Sequence, residues 1–123
     1  MKFDNGKMID DFTTIDNKIL SKIYKDITLT KAQKNVLLSL CRQIFHQGIP
    51  GIVQTEWWGA ADVTAKDVGV SERTVRRAYK ELEARNIIKV RQEWKLNTDR
   101  NGHEGYRRVN RITINVNVEE WAL

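Results

Sequence analysis

The sequence is poor in several residues that chemistry often relies on. It has one cysteine, one proline and two histidines in 123 residues. A lone Cys41 cannot close an internal disulfide, which fits a reducing cytosol. His46 and His103 stand far apart and offer no zinc spacing with that single thiol. Gly102 and Gly105 flank a hairpin tip rather than a strand-to-helix turn, so no phosphate loop is present. Asp10-Asp11 and Glu119-Glu120 are carboxylate pairs in terminal segments, with no histidine or metal motif beside them. These absences argue against an enzyme, and neither cofactor nor metal is expected. No apolar run approaches the ~20 residues of a membrane helix. The opening MKFDNGKMIDDF lacks the apolar centre of a signal peptide. The expected location is the cytoplasm of a bacterial host cell, with no membrane partner.

Basic charge is plentiful, and it is segregated. The formal net charge is +5. Residues 1–70 hold nine Lys/Arg against eight Asp/Glu, whereas residues 71–111 hold twelve against six. Such a concentrated excess is the electrostatic footprint of a polyanion partner, nucleic acid first. The length suits one domain with one core. The expected division is a flexible arm over 1–11 and a single domain over 12–123.

The stretch Ala61–Arg85, ADVTAKDVGVSERTVRRAYKELEAR, predicts two helices joined by a tight turn. Ala65 is small where the helices must approach. Gly69 can end the first helix in the left-handed conformation. Ser71 is a good N-cap for the second. Val68, Val70, Val75, Ala78, Tyr79 and Leu82 fall on one inward face. Arg73, Thr74, Arg76, Arg77 and Lys80 occupy the other. This is helix-turn-helix spacing. An ordinary helical hairpin with a solvated basic face remains the alternative.

Asp16 predicts the cap of a first helix through about Lys25, with Ile19, Leu20 and Ile23 inward. Thr30 caps a second, from Lys31 to about Gln47, on which Val36, Leu37, Leu40, Cys41, Ile44 and Phe45 form a core stripe. On that stripe Cys41 reads as a buried apolar residue, not a nucleophile. Gly48 and Pro50 stop the helix. Gly51–Trp58 predicts a short strand, whose tryptophan pair reads either as core packing or as a base-stacking surface. Asn86 suits a helix end. IIKVRQEWKL alternates with period two, giving a half-buried strand with Ile88, Val90, Gln92, Trp94 and Leu96 on one face. After the loop NTDRNGHEG, a second strand places Ile112, Ile114, Val116 and Val118 together. Trp121 is expected to close an open edge of the core. The order predicts an α+β fold, a winged helix-turn-helix with a two- to three-stranded wing sheet.

Several segments also resemble a known family. Phe12-Thr13-Thr14-Ile15-Asp16-Asn17-Lys18-Ile19-Leu20 is similar to the opening of the N-terminal domain of phage replication protein O. Leu29-Thr30-Lys31 with Lys34, Val36-Leu37-Leu38 and Arg42 resembles its long helix. Gly69-Val70-Ser71-Glu72-Arg73-Thr74-Val75-Arg76-Arg77-Ala78, with Lys80-Glu81-Leu82-Glu83 and Asn86-Ile87-Ile88, resembles its helix-turn-helix and following strand. The resemblance spans roughly residues 12–118. Ile49–Ala60, with its Trp pair, departs from it. The family also carries a C-terminal part that engages the host helicase, and this sequence ends at Leu123. The resemblance therefore implies the origin-binding half.

These readings converge on sequence-specific binding of double-stranded DNA. Ser71 opens the reading helix. Arg73, Thr74, Arg76 and Arg77 would face base edges and flanking phosphates, with Lys80 on phosphate. Arg100, Arg107 and Arg108 on the wing would meet backbone or minor groove. A winged-helix transcription regulator and a protein-interaction module are the alternatives. A replication or transcription protein is a further partner the reading allows. A monomer in free solution is expected, since little chain follows the wing to build a dimer.

Overall fold

The computed structural model describes residues 15–46 and 56–122, with side chains omitted at His46, Lys95, Asn97, Arg107 and Arg108. The N-terminal arm, most of the expected strand Gly51–Trp58 and the residues Gly48 and Pro50 lie outside the described residues.

Helices α1 (Asn17–Lys25) and α2 (Lys31–His46) come first, followed by strand β1 (Glu56–Gly59). Helices α3 (Ala61–Val68) and α4 (Glu72–Ala84) follow, then β2 (Ile88–Thr98), β3 (Glu104–Ile114) and a short 3-10 turn over Val118–Glu120. The strands form one antiparallel sheet in the order β1-β3-β2. A helix-turn-helix followed by a long hairpin, with a third strand on its flank, is a winged helix.

The helix starts follow local chemistry. The Asp16 carboxylate accepts from the Lys18 and Ile19 amides at 2.7 and 3.4 Å. Thr30 and Gln33 form a reciprocal capping box: each side chain accepts from the other's amide, at 3.1 and 3.0 Å. Ile19, Ile23, Val36, Leu37, Leu40, Cys41 and Ile44 are buried, as the stripes require. Burial raises the Cys41 thiol to about 12, which makes it an unreactive core residue.

The sheet covers these helices with Trp57, Ile88, Ile112 and Ile114, all buried. Trp57 lies so close to Gly59 that a Cβ there would sit 2.2 Å from the indole, so this position excludes a side chain. Trp121 is buried and its Nε1 donates to the Asn115 carbonyl at 2.8 Å. It seals the core edge, as expected.

Two readings need correction. The expected strand Gly51–Trp58 is not one of them: its described residues Glu56–Trp58 are extended, and the strand continues to Gly59. The turn of the wing is tighter than NTDRNGHEG suggests. Thr98 already pairs with Glu104, because Asp99 organises a five-residue tip through its carboxylate contacts to the Asn101 and His103 amides at 2.9 and 2.8 Å. The second strand stops at Ile114. Val116 is exposed and Val118 starts the 3-10 turn: the Asn115 amide still reaches the Ile87 carbonyl at 2.9 Å, but the Ile87 amide donates to the Leu82 carbonyl at 3.0 Å and the Asn115 carbonyl accepts from Trp121, so the ladder goes no further.

Candidate nucleic-acid interface

The helix-turn-helix is assembled by a few specific contacts. Gly69 adopts φ 80°, ψ 34°, and the amides of Gly69 and Val70 both reach the Ala65 carbonyl, at 2.9 and 3.1 Å. Only a residue tolerant of the left-handed region suits that turn. Ser71 Oγ accepts from the Thr74 amide at 3.2 Å and so caps α4. The Tyr79 hydroxyl meets Thr64 Oγ1 at 3.0 Å in a buried bridge between the two helices. Burial raises the Tyr79 hydroxyl above its ordinary range, which keeps it a neutral donor. Asp67 accepts from Ser39 Oγ at 2.6 Å and from Arg42, tying α3 to α2. The Arg42 and Ser39 donors hold its carboxyl below the usual range.

Held this way, α4 buries Val75, Ala78, Tyr79 and Leu82 and exposes Arg73, Arg76, Arg77 and Lys80. Arg76 pairs with Glu72 at 2.9 Å, an exposed i,i+4 contact that a phosphate or base could displace at little cost. Among the described residues, no carboxylate pairs with Arg73, Arg77 or Lys80. Thr74 is half-buried and its hydroxyl lies 3.0 Å from Ser71 Oγ. The structure thus brings together Ser71, Arg73, Thr74, Arg76, Arg77 and Lys80 on one helix and gives Ser71 a capping task first.

The far end of α4 is anchored. Arg85 reaches Asp26 at 2.6 Å and, through Nε, the Ala122 carbonyl at 2.7 Å. Burial alone would raise the Asp26 carboxyl, but bonds from Thr28 and Arg85 outweigh it and lower it to about 2. Asn86 follows at φ 59°, in the left-handed region where the sequence suggested a helix end, although the cap position itself is Arg85. The Val90 amide donates to Glu83 Oε1 at 3.1 Å, which fastens β2 to α4.

The wing residues are dispersed. Arg100 is exposed at the tip. Arg107 and Arg108 lie opposite Lys95 and Trp94 in the hairpin register. Arg111 is spoken for: it forms a two-pronged pair with Glu56 at 3.0 and 2.7 Å, meets Glu93 at 3.5 Å, and lies 5.4 Å from the Trp58 ring centroid. The Arg111 bond holds the Glu56 carboxyl below its ordinary range. The tryptophan pair therefore splits, with Trp57 in the core and Trp58 on the outer sheet face beside Arg111.

The family model described as Bacteriophage replication protein O matches residues 6–121. The chain belongs to the bacteriophage replication protein O family. Membership of a phage replication family, with Arg73, Arg77 and Lys80 exposed on the second helix of a helix-turn-helix, points to DNA as ligand. A solved structure described as a "Possible transcriptional regulator from Methanosarcina mazei Go1" is similar at 21% identity and a TM-score of 0.46, covering 89% of this chain and 76% of that one. At that score the likeness carries no argument. No curated protein matches the chain.

The sequence reading of this replication protein O domain missed one feature. It assigned Trp94 and Leu96 to a half-buried face, yet they are 67% and 52% exposed, and Tyr106 is 73% exposed. The long alternation past Val90, longer than the helices beneath can cover, was the available signal.

Proposed function

We propose that the domain binds double-stranded DNA sequence-specifically, with α4 in the major groove and the wing on the flanking backbone or minor groove. The observation that carries this is the division of α4 into a buried face and an exposed face bearing Arg73, Arg76, Arg77 and Lys80. Arginine forks match the two acceptors of guanine, while Lys80, further along the helix, suits phosphate. Arg100, Arg107 and Arg108 would supply sequence-independent contacts.

Family membership supports a replication role, the recognition of phage or mobile-element origin DNA in the cytoplasm of a bacterial host. Residues 12–123 would act as one domain behind an arm at 1–11. Each copy offers one reading helix, so a monomer would occupy adjacent direct repeats. Selection of bound sequences from random DNA tests the proposal. Direct repeats support origin binding; a palindrome would instead indicate a dimeric transcription regulator. Absence of duplex binding at low salt would overturn it.

A further inference from the structure

The outer half of the wing carries an aromatic surface that the duplex-binding reading does not use. Trp94 and Leu96 lie two residues apart on β2, and Leu96 pairs directly with Tyr106 on β3. Alternation puts them on the sheet face that, at Ile88 and Ile112, covers the helices. All three side chains are exposed. The pair Gln92–Asn110 lies between them and the core pair Val90–Ile112. The surface is therefore separate from the core, behind a polar belt, and is not a frayed extension of it. Trp94 sits diagonally across from Tyr106, about 7–8 Å apart along such a ladder, within reach for two rings to serve neighbouring bases.

The charge of the hairpin favours a polyanion. Over Ile88–Ile114 there are seven Lys/Arg and three Asp/Glu. The register sets Arg108 on the aromatic face, across from Trp94, while Lys89, Arg91, Lys95, Arg107 and Arg111 alternate onto the opposite face. Arg100 is exposed at the tip beyond the rings. Exposed rings on a basic hairpin, with Arg108 in their own row, match the chemistry of an unstacked, negatively charged strand: each base offers a face to stack and each phosphate a charge to pair. Duplex DNA keeps its base faces stacked inside and would not use the rings in this way.

We propose that the outer wing is a second DNA site, which stacks unpaired bases of single-stranded DNA on Trp94 and Tyr106, with Leu96 between them. It depends on the duplex-binding reading only in sharing DNA as the ligand. The domain would then hold duplex through α4 and the cations of the wing, and an opened strand on the wing's aromatic face.

The test uses the full chain, a fluorescein-labelled dT20 strand, and a duplex carrying the site chosen by selection from random DNA. Wild type should bind both. Trp94→Leu and Tyr106→Ala should each weaken dT20 binding roughly 10- to 100-fold, as loss of one stacked base implies, and leave duplex binding within about two-fold. Trp94→Phe, which keeps a ring, should stay near wild type. Arg77→Ala should show the reverse pattern, weakening duplex and sparing dT20. Wild type that binds duplex but not dT20 overturns the proposal and leaves the duplex reading standing. Equal losses on both DNAs in Trp94→Leu also overturn it, making the surface a duplex contact. So does a wild-type dimer in sedimentation that Trp94→Leu or Tyr106→Ala dissociates, which would assign the surface to a second copy.

Discussion

The inner and outer halves of the wing hairpin use the same two strands and the same alternation, yet they have opposite fates. At the inner end Ile88, Ile112 and Ile114 are buried beneath α2 and α4, with Val90 half-buried beside them. At the outer end Trp94, Leu96 and Tyr106 stand in solvent. Period-two patterning determines which side chains share a face. It says nothing about whether another element reaches far enough to cover that face. The folded core does not account for the large side chains left uncovered at the outer end, which is where the proposed single-strand site lies.

The comparison can be broken most forcefully at the inner end. Ile112→Ala should destabilise the fold by about 2–5 kcal/mol in urea or thermal unfolding, because a cavity opens where nothing can collapse into it. Leu96→Ala should stay within about 0.5 kcal/mol. A Leu96 variant as unstable as the Ile112 variant would show that the outer half is covered after all.

Next in size is the reading helix, whose exposed face should matter to DNA and not to folding. Arg76→Ala and Arg77→Ala should each cost about 1–3 kcal/mol of specific duplex binding in a titration at fixed salt. Their melting temperatures should barely move. If either unfolds the domain while affinity per folded molecule is kept, the division of α4 into two faces is wrong.

The anchor behind that helix is expected to be titratable. The Asp26 carboxyl lies near 2 when folded, against 3.8 unperturbed. A lowered carboxyl stabilises the fold above its unfolded value, and that contribution disappears as pH falls through the folded value. About 1–2 kcal/mol should therefore be lost between pH 4 and pH 2. Asp26→Asn should remove a similar amount at pH 7 and flatten the acid limb of the stability curve. An unchanged acid limb would show that the pair with Arg85 does not hold α4.

The smallest effect belongs to the cations of the outer wing. Replacing Arg100, Arg107 and Arg108 by Ala should weaken duplex binding about equally on every sequence. The slope of log affinity against log salt should fall by about one unit per lost phosphate contact. A changed sequence preference would mean that the wing, and not α4, reads bases.

Much of this was legible because it is local. Asp16, Thr30, Gly69 and Ser71 act within a turn of their own position, so the helix starts and the helix-turn-helix could be read directly. The inward stripes of α2 and α4 could be read for the same reason: helical periodicity is a property of the segment itself. The candidate cations on α4 were named from that periodicity alone.

Tertiary structure decided what depends on distant partners. It placed Trp57 in the core and Trp58 outside, a choice made when β1 paired with β3. It removed Arg111 from the free positive charge by setting Glu56 and Glu93 beside it, 55 and 18 residues away in sequence. It ended β3 at Ile114 by engaging the Ile87 amide with Leu82 and the Asn115 carbonyl with Trp121. It also left Trp94, Leu96 and Tyr106 uncovered. A sequence by itself determines what a segment can present on each face. Which faces are buried, which charges are neutralised and which remain for a ligand depends on the reach and register of elements far away in the chain.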